Sequence, residues 1–251
     1  MESGLKTLDY VLWAACCFGH MVLLFTLLTR GGARTFRVFT ARIFYLLLRD
    51  IALYVIHRNG SAGEYARWYW LLAGGDYVLQ IGVVLELARV VMRSTQIWFE
   101  KGLRQYFVYA GAAILAAGVV AQAISPPNQA GLDLWSIRAD IFMSMVTCEV
   151  FVAMSAAANR LRRPWSRGAM AIGQGLSVWA LVVLTGQSLQ LAMGWPAELP
   201  VFDQIGRFVY LGTLIFWTVT FARRRATQTF DPDEVAPTTT ELRELFYAKR
   251  N

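Results

Sequence analysis

Lysine is nearly missing from this chain of 251 residues; it occurs only as Lys6, Lys101 and Lys249, none of them inside an apolar run. That excludes a retinal Schiff base, which needs a lysine in the last membrane span. Histidine is as scarce. His20 falls near mid-membrane depth and His57 near the outer surface, so the facing pair of ligands that a membrane b-type haem requires is not there. The chain also lacks an H-E-x-x-H helix, a Walker loop, a G-x-S-x-G elbow and a nucleotide fingerprint. Cys16, Cys17 and Cys148 all fall in apolar runs, which argues against a disulfide framework. No cofactor is expected from this inventory. Charge is thin at 16%, against about 25% in a soluble domain.

What remains is apolar. Hydrophobic residues make up 56% of the chain, with nine tryptophans. Runs at 8–29, 36–56, 68–92, 106–124, 134–158, 168–193 and 201–222 are each long enough to cross a bilayer as a helix, which takes about 20 residues. Gly31-Gly32, Asn59-Gly60, Pro126-Pro127-Asn128 and Pro196 with Pro200 are breakers where the chain should turn. The second, third and fifth runs carry several charges, and their assignment rests on these breakers and on charge alternation. Arg30, Arg34 and Arg37, then Arg93, Lys101 and Arg104, then Arg160, Arg162, Arg163 and Arg167, and finally Arg223 to Arg225 occupy every second connector. The other connectors and the N-terminus hold only Lys6, Arg58 and Arg67. Positive charge marks the cytoplasmic side. The fold class that follows is all-α: a seven-helix transmembrane bundle over residues 1–225, N-terminus outside, C-terminus cytoplasmic. The net charge of +7 sits at the ends of runs and forms no single patch, so no nucleic-acid partner is expected. The lipid bilayer is the expected partner, an oligomer is compatible with the pattern, and the arginine alternation suits a bacterial inner membrane.

Residues 226–251 differ in character. Asp231-Pro232-Asp233-Glu234 and Pro237 read as a linker. Thr238 and Glu241 then have capping-box spacing, and Leu242, Leu245 and Phe246 share one helical face. A short amphipathic helix over 238–249 is expected, lying on the inner leaflet or on a cytoplasmic protein partner. A frayed tail is the bland alternative.

Charged residues inside spans are costly and usually pair or face a cavity. Placed by helix rise, Arg49 and Asp50, Asp76 and Gln80, Arg138 and Asp140, Gln187, and Asp203 and Arg207 all fall in the outer half, on five spans. Asp76 and Gln80 share a face with Tyr69, and Asp203 and Arg207 share one with Tyr210. If those faces point inward they line a polar pocket open to the outside, and these nine residues are the candidate ligand-binding set. A second group, Arg42, Glu86 and Glu149, is expected in the inner half as an interhelical tie and coupling element. Both groups have a structural reading as well, since buried ion pairs can serve only to fix helix register.

Ala73-Gly74-Gly75-Asp76 approaches the G-x-G-D motif of intramembrane aspartyl proteases, but the first position is Ala and the partner Tyr-Asp dipeptide is missing. Small residues that let a helix pack closely are the simpler reading. Leu48-Arg49-Asp50-Ile51 loosely echoes Ile137-Arg138-Ala139-Asp140-Ile141. A 3+1+3 repeat of that kind would resemble sugar-transporter and lysosomal cystine-transporter folds, yet their Pro-Gln pair is absent. In hydropathy layout, and in carrying charge in spans 2 and 3, the chain resembles small uncharacterised bacterial seven-span proteins. It is also similar to the seven-helix sensor regions of bacterial signalling kinases. That resemblance implies a sensor whose kinase or cyclase is a separate chain, and it carries over no functional residues. The expected function is a non-enzymatic, receptor-like membrane sensor that binds a small polar ligand or proton and signals to a cytoplasmic partner. A small-solute or ion transporter or channel subunit, and an accessory or scaffold subunit of a larger complex, are the alternatives.

Overall fold

The computed structural model describes residues 2–93, 101–123, 131–160, 166–193 and 200–223. Helices form all the regular structure there: α1 (Glu2–Thr29), the single turn α2 (Gly32–Thr35), α3 (Arg37–Asn59), α4 (Ala62–Arg93), α5 (Lys101–Ala123), α6 (Leu132–Arg160), α7 (Arg167–Met193) and α8 (Pro200–Ala222). The seven long helices coincide with the seven apolar runs. Five of them contain stretches long and apolar enough to cross a membrane: Leu8–Thr29, Gly63–Val90, Ile137–Ala156, Arg167–Leu189 and Gln204–Ala222. Their outward faces carry large apolar side chains such as Phe18, Phe25, Leu71, Val78, Leu181 and Ile215. A water-soluble protein rarely exposes so much contiguous apolar surface, and the chain is an integral membrane protein. In α5 the apolar stretch is Gly111–Ala123, and α3 is interrupted by Arg42, Arg49 and Asp50. The tail expected to hold a helix over 238–249 lies outside the described residues.

The breakers act through specific bonds. Gly31 adopts φ 72°, in the left-handed region that favours glycine, and turns the chain out of α1. Gly60 ends α3, its N–H donating to the Ile56 carbonyl at 2.7 Å. Ser61 and Glu64 then open α4 as a reciprocal box: the Ser61 N–H donates to Glu64 Oε2 at 2.8 Å, and the Glu64 N–H to Ser61 Oγ at 3.3 Å. This box starts α4 six residues earlier than the apolar run alone predicts.

Helix α3 has a different kind of start. Its N-cap residue, Phe36, offers no side-chain cap. The two oxygens of Glu86 on α4 accept instead from the N–H groups of Val38 (2.9 Å) and Phe39 (3.0 Å). A carboxylate on two free amides at a helix N-terminus is favoured by hydrogen bonding and by the helix dipole together. Glu86, expected to tie to Arg42, is thus engaged with backbone.

Contacts run α1–α3, α3–α4, α4–α7, α7–α8 and α8–α1, closing a ring of five helices. α6 packs against α7 and α4, and α5 packs on α6. One end of the ring is solid. Leu23, Leu27, Phe36, Phe39, Ile43, Val83, Leu87, Ile172, Leu176, Leu214, Trp217 and Phe221 form a continuous buried cluster there. Phe39 meets Trp217 edge-on at 5.0 Å, and the Trp217 indole N–H donates to the Ala171 carbonyl at 2.9 Å. This is the end at which Arg30, Arg34 and Arg37 connect α1 to α3. Towards the other end the side chains turn polar and the ring is hollow.

Candidate ligand-binding cavity

The hollow end encloses a cavity of about 910 Å³, within the range of small-molecule sites. Its wall is built by α1, α3, α4, α7 and α8, with Asp140 contributed by α6. Asp9, His57 and Arg207 stand at its rim, and Arg42 and His20 lie at its floor, directly above the apolar core.

The floor is an ion-pair network. Arg42, 2% exposed, grips Asp76 through two bonds, Nε to Oδ1 at 2.8 Å and Nη2 to Oδ2 at 3.2 Å. The same Nη2 donates to Gln80 Oε1 at 3.3 Å. The Gln80 amide passes the chain to Thr147 Oγ1 at 3.0 Å, and Thr147 donates to the Met143 carbonyl. α3, α4 and α6 are thereby tied through a fully buried polar line. Arg49, two helical turns outward and partly open to the cavity, places Nη1 3.5 Å from Asp76 Oδ2. Two guanidiniums therefore share one carboxylate.

A second line joins α1, α3 and α8. His20 Nε2 lies 2.7 Å from the Tyr210 hydroxyl. Its Nδ1 is buried without a hydrogen-bond partner and sits 3.4 Å from Asp50 Oδ2. Cys17 Sγ approaches the same carboxylate oxygen at 3.9 Å. Where α4 meets α6, the Tyr77 hydroxyl donates to Asp140 Oδ1 at 2.8 Å. At the rim, Arg207 and Asp9 pair at 2.7 Å, each about half exposed. Aromatic rings fill the spaces between: Trp13 stacks on Tyr54 at 4.6 Å, Tyr65 bridges His57 and Tyr69, and Trp179 meets Tyr210 edge-on.

Of the nine candidate residues, Arg49, Asp50, Asp76, Asp140, Gln187 and Arg207 come together around this cavity. Gln80 sits behind the wall, its amide committed to Arg42 and Thr147. Arg138 is turned away, donating to Gln122 Oε1 at 3.1 Å on an exposed face. The Asp203 side chain lies outside the described ones. The expected inner group of Arg42, Glu86 and Glu149 does not assemble. Arg42 belongs to the cavity floor, Glu86 holds the α3 backbone, and Glu149 Oε2 is buried with no hydrogen-bond partner among the described residues. The reason is register: α4 runs further outward than its apolar stretch suggests, which brings Asp76 level with Arg42. His20, Tyr77 and most of the aromatic wall were not among the candidates. Single polar or aromatic residues in an apolar run carry no signal of direction until the helices are packed.

The small-residue run is explained in part. Gly75 lies against the Tyr45 side chain with no room for a Cβ, while Gly74 faces open space. The Tyr45 hydroxyl donates to the Leu72 carbonyl at 2.7 Å, so the close approach secures the α3–α4 hairpin. The three cysteines are free thiols. Among the described residues no cluster of three or more His, Cys, Asp or Glu side chains is placed to hold a metal ion. No protein-family model, curated protein or solved structure gives a match to this chain.

Proposed function

We propose that this chain is a seven-span, receptor-like membrane protein that binds a small polar ligand in a cavity open to the outside. The observation that carries the reading is the contrast between the two ends of the bundle. The cavity opens at the arginine-poor end, and the ring is packed solid at the end where Arg30, Arg34 and Arg37 lie. By the positive-inside rule the hollow end faces outward and the packed end faces the cytoplasm, in a bacterial inner membrane. A ligand resting on the Arg42–Asp76–Arg49 floor touches the network that ties α3, α4 and α6. It shifts that network only by its differential affinity for two arrangements of it. A cytoplasmic partner, reached through the tail, would read the shift.

The polar floor also favours a second reading. An ion-pair floor in mid-bundle, above the packed apolar end, is a gate that a transporter could open by rearranging both layers. Two measurements separate these readings. Native mass spectrometry of protein extracted gently from its own membrane should show a stoichiometric small molecule that Asp76→Asn removes. Reconstituted vesicles should then show no uptake of that molecule. Uptake abolished by Asp76→Asn would replace the receptor reading with transport. A stoichiometric protein partner with no small molecule would overturn both readings in favour of a scaffold subunit.

A further inference from the structure

The charges of the cavity do not balance locally, and their arrangement says what would complete them. Three arginines and four aspartates line it. Arg207 and Asp9 neutralise each other at the rim, and Arg42 and Arg49 share Asp76. That leaves Asp50 on α3 and Asp140 on α6 with no arginine within ion-pair distance among the described residues. Asp140 receives a neutral phenol from Tyr77, and Asp50 has only His20 and Cys17 beside it. A second, independent signal comes from an unmet hydrogen bond. Gln187 Oε1 is buried in the wall with no donor. Carboxylate oxygens and an amide oxygen are acceptors, and what they lack is N–H. A primary ammonium supplies three donors and no acceptor. The remaining wall is aromatic, with Trp13, Tyr54, Tyr65, Tyr69, Trp179 and Tyr210 around the space. Such rings attract a cation to their faces and an apolar ring to their edges.

We infer that the ligand is a compact organic monocation, an amine carrying an apolar or aromatic group. Its ammonium sits between the carboxylates of Asp50 and Asp140, and its apolar part lies against the tyrosines and tryptophans of α1, α3, α4 and α7. Arg49 stands on the floor beside Asp76 and repels a second positive charge, which limits the ligand to one. The inference rests on the cavity being a ligand site.

Purified protein in lipid nanodiscs is titrated with 2-phenylethylamine, its isosteric anion 3-phenylpropionate and the neutral 2-phenylethanol, following thermal stability and tryptophan fluorescence. The amine should raise the unfolding temperature and saturate the fluorescence change, and the anion and alcohol should do neither at the same concentration. Asp50→Asn and Asp140→Asn should each weaken amine binding at least about tenfold. Arg34→Gln, exposed at the packed end and away from the cavity, should change it little, and serves as the control for folding. Binding of 3-phenylpropionate that disappears in Arg49→Gln would overturn the inference while leaving the cavity a ligand site. Equal binding of all three probes would overturn it too, since charge would then play no part. Failure of every probe up to millimolar concentration, with no small molecule retained in native mass spectra, would overturn both this inference and the receptor reading.

Discussion

Arg42 and Asp76 are the residues on which most else depends. Both are buried, and each is the other's main countercharge. Removing Asp76 leaves Arg42 as an uncompensated buried charge, which costs about 3–5 kcal/mol, whereas removing Arg42 leaves Asp76 with Arg49 3.5 Å away. Asp76→Leu should lower stability by that order in detergent unfolding, and Arg42→Met by less. The double variant Arg42→Met/Asp76→Leu should lose less than the sum, because Arg42 no longer remains as a buried charge and only the partly exposed Arg49 loses its carboxylate; additive losses would mean the pair is not formed. The pairing itself was within reach of the sequence. Counting from Gly60, Arg42 lies eighteen residues back and Asp76 sixteen residues on. At 1.5 Å per residue these are nearly level, roughly 27 and 24 Å from the turn, whereas Glu86 is roughly 39 Å away. What hid the match was the assumption that each helix ends where its apolar run ends.

At the scale of the element, α3 is the helix least able to stand alone. It starts without a side-chain cap of its own and borrows Glu86 from α4. Glu86→Ala should cost about 1–3 kcal/mol, the loss of a cap and of two bonds to a charged acceptor. Hydrogen exchange should localise the effect to the first turn of α3, with Val38 and Phe39 exchanging faster. Unchanged protection at those amides would show that another group caps them. Nothing in the sequence around Phe36 marks a helix start, and a cap donated from fifty residues away leaves no local pattern. The Ser61 and Glu64 box is the opposite case, written in four consecutive residues, S-A-G-E, beside the turn. Existence and order of the long helices were legible because apolar length and breakers agree. Their exact ends were not, because caps extend helices past the apolar stretch.

For the molecule as a whole, the asymmetry between a solid end and a hollow end fixes what labelling should see. In a variant with Cys16, Cys17 and Cys148 replaced by Ala, Ser61→Cys sits at the hollow end and Arg34→Cys at the packed end. On intact cells a membrane-impermeant maleimide should modify Ser61→Cys, and Arg34→Cys only after permeabilisation. The reverse pattern would invert the topology and turn the cavity to the cytoplasm. The alternation of arginines carries the expected direction, since it depends on composition near the ends of runs. The cavity was legible only as a set of polar residues at similar depth. Six of nine do surround it, and Gln80 and Arg138 do not, because a helix rotated by a fraction of a turn moves a side chain from lumen to wall or outer face.

The cavity floor has a consequence for how the protein is made. Arg42, Arg49 and Asp50 would each cost about 2.5–3.5 kcal/mol near the centre of an inserting helix, so α3 is a poor candidate to enter the bilayer by itself as it leaves the ribosome. The partner for two of those three charges, Asp76, follows on the next helix, joined by a turn of two residues, Gly60 and Ser61. Biogenesis should therefore wait for α4, and the hairpin should be released into lipid as one unit. In a glycosylation-mapping assay, nascent chains ending before Asp76 should integrate α3 inefficiently, chains extending past α4 should integrate it well, and Asp76→Ala should forfeit that gain.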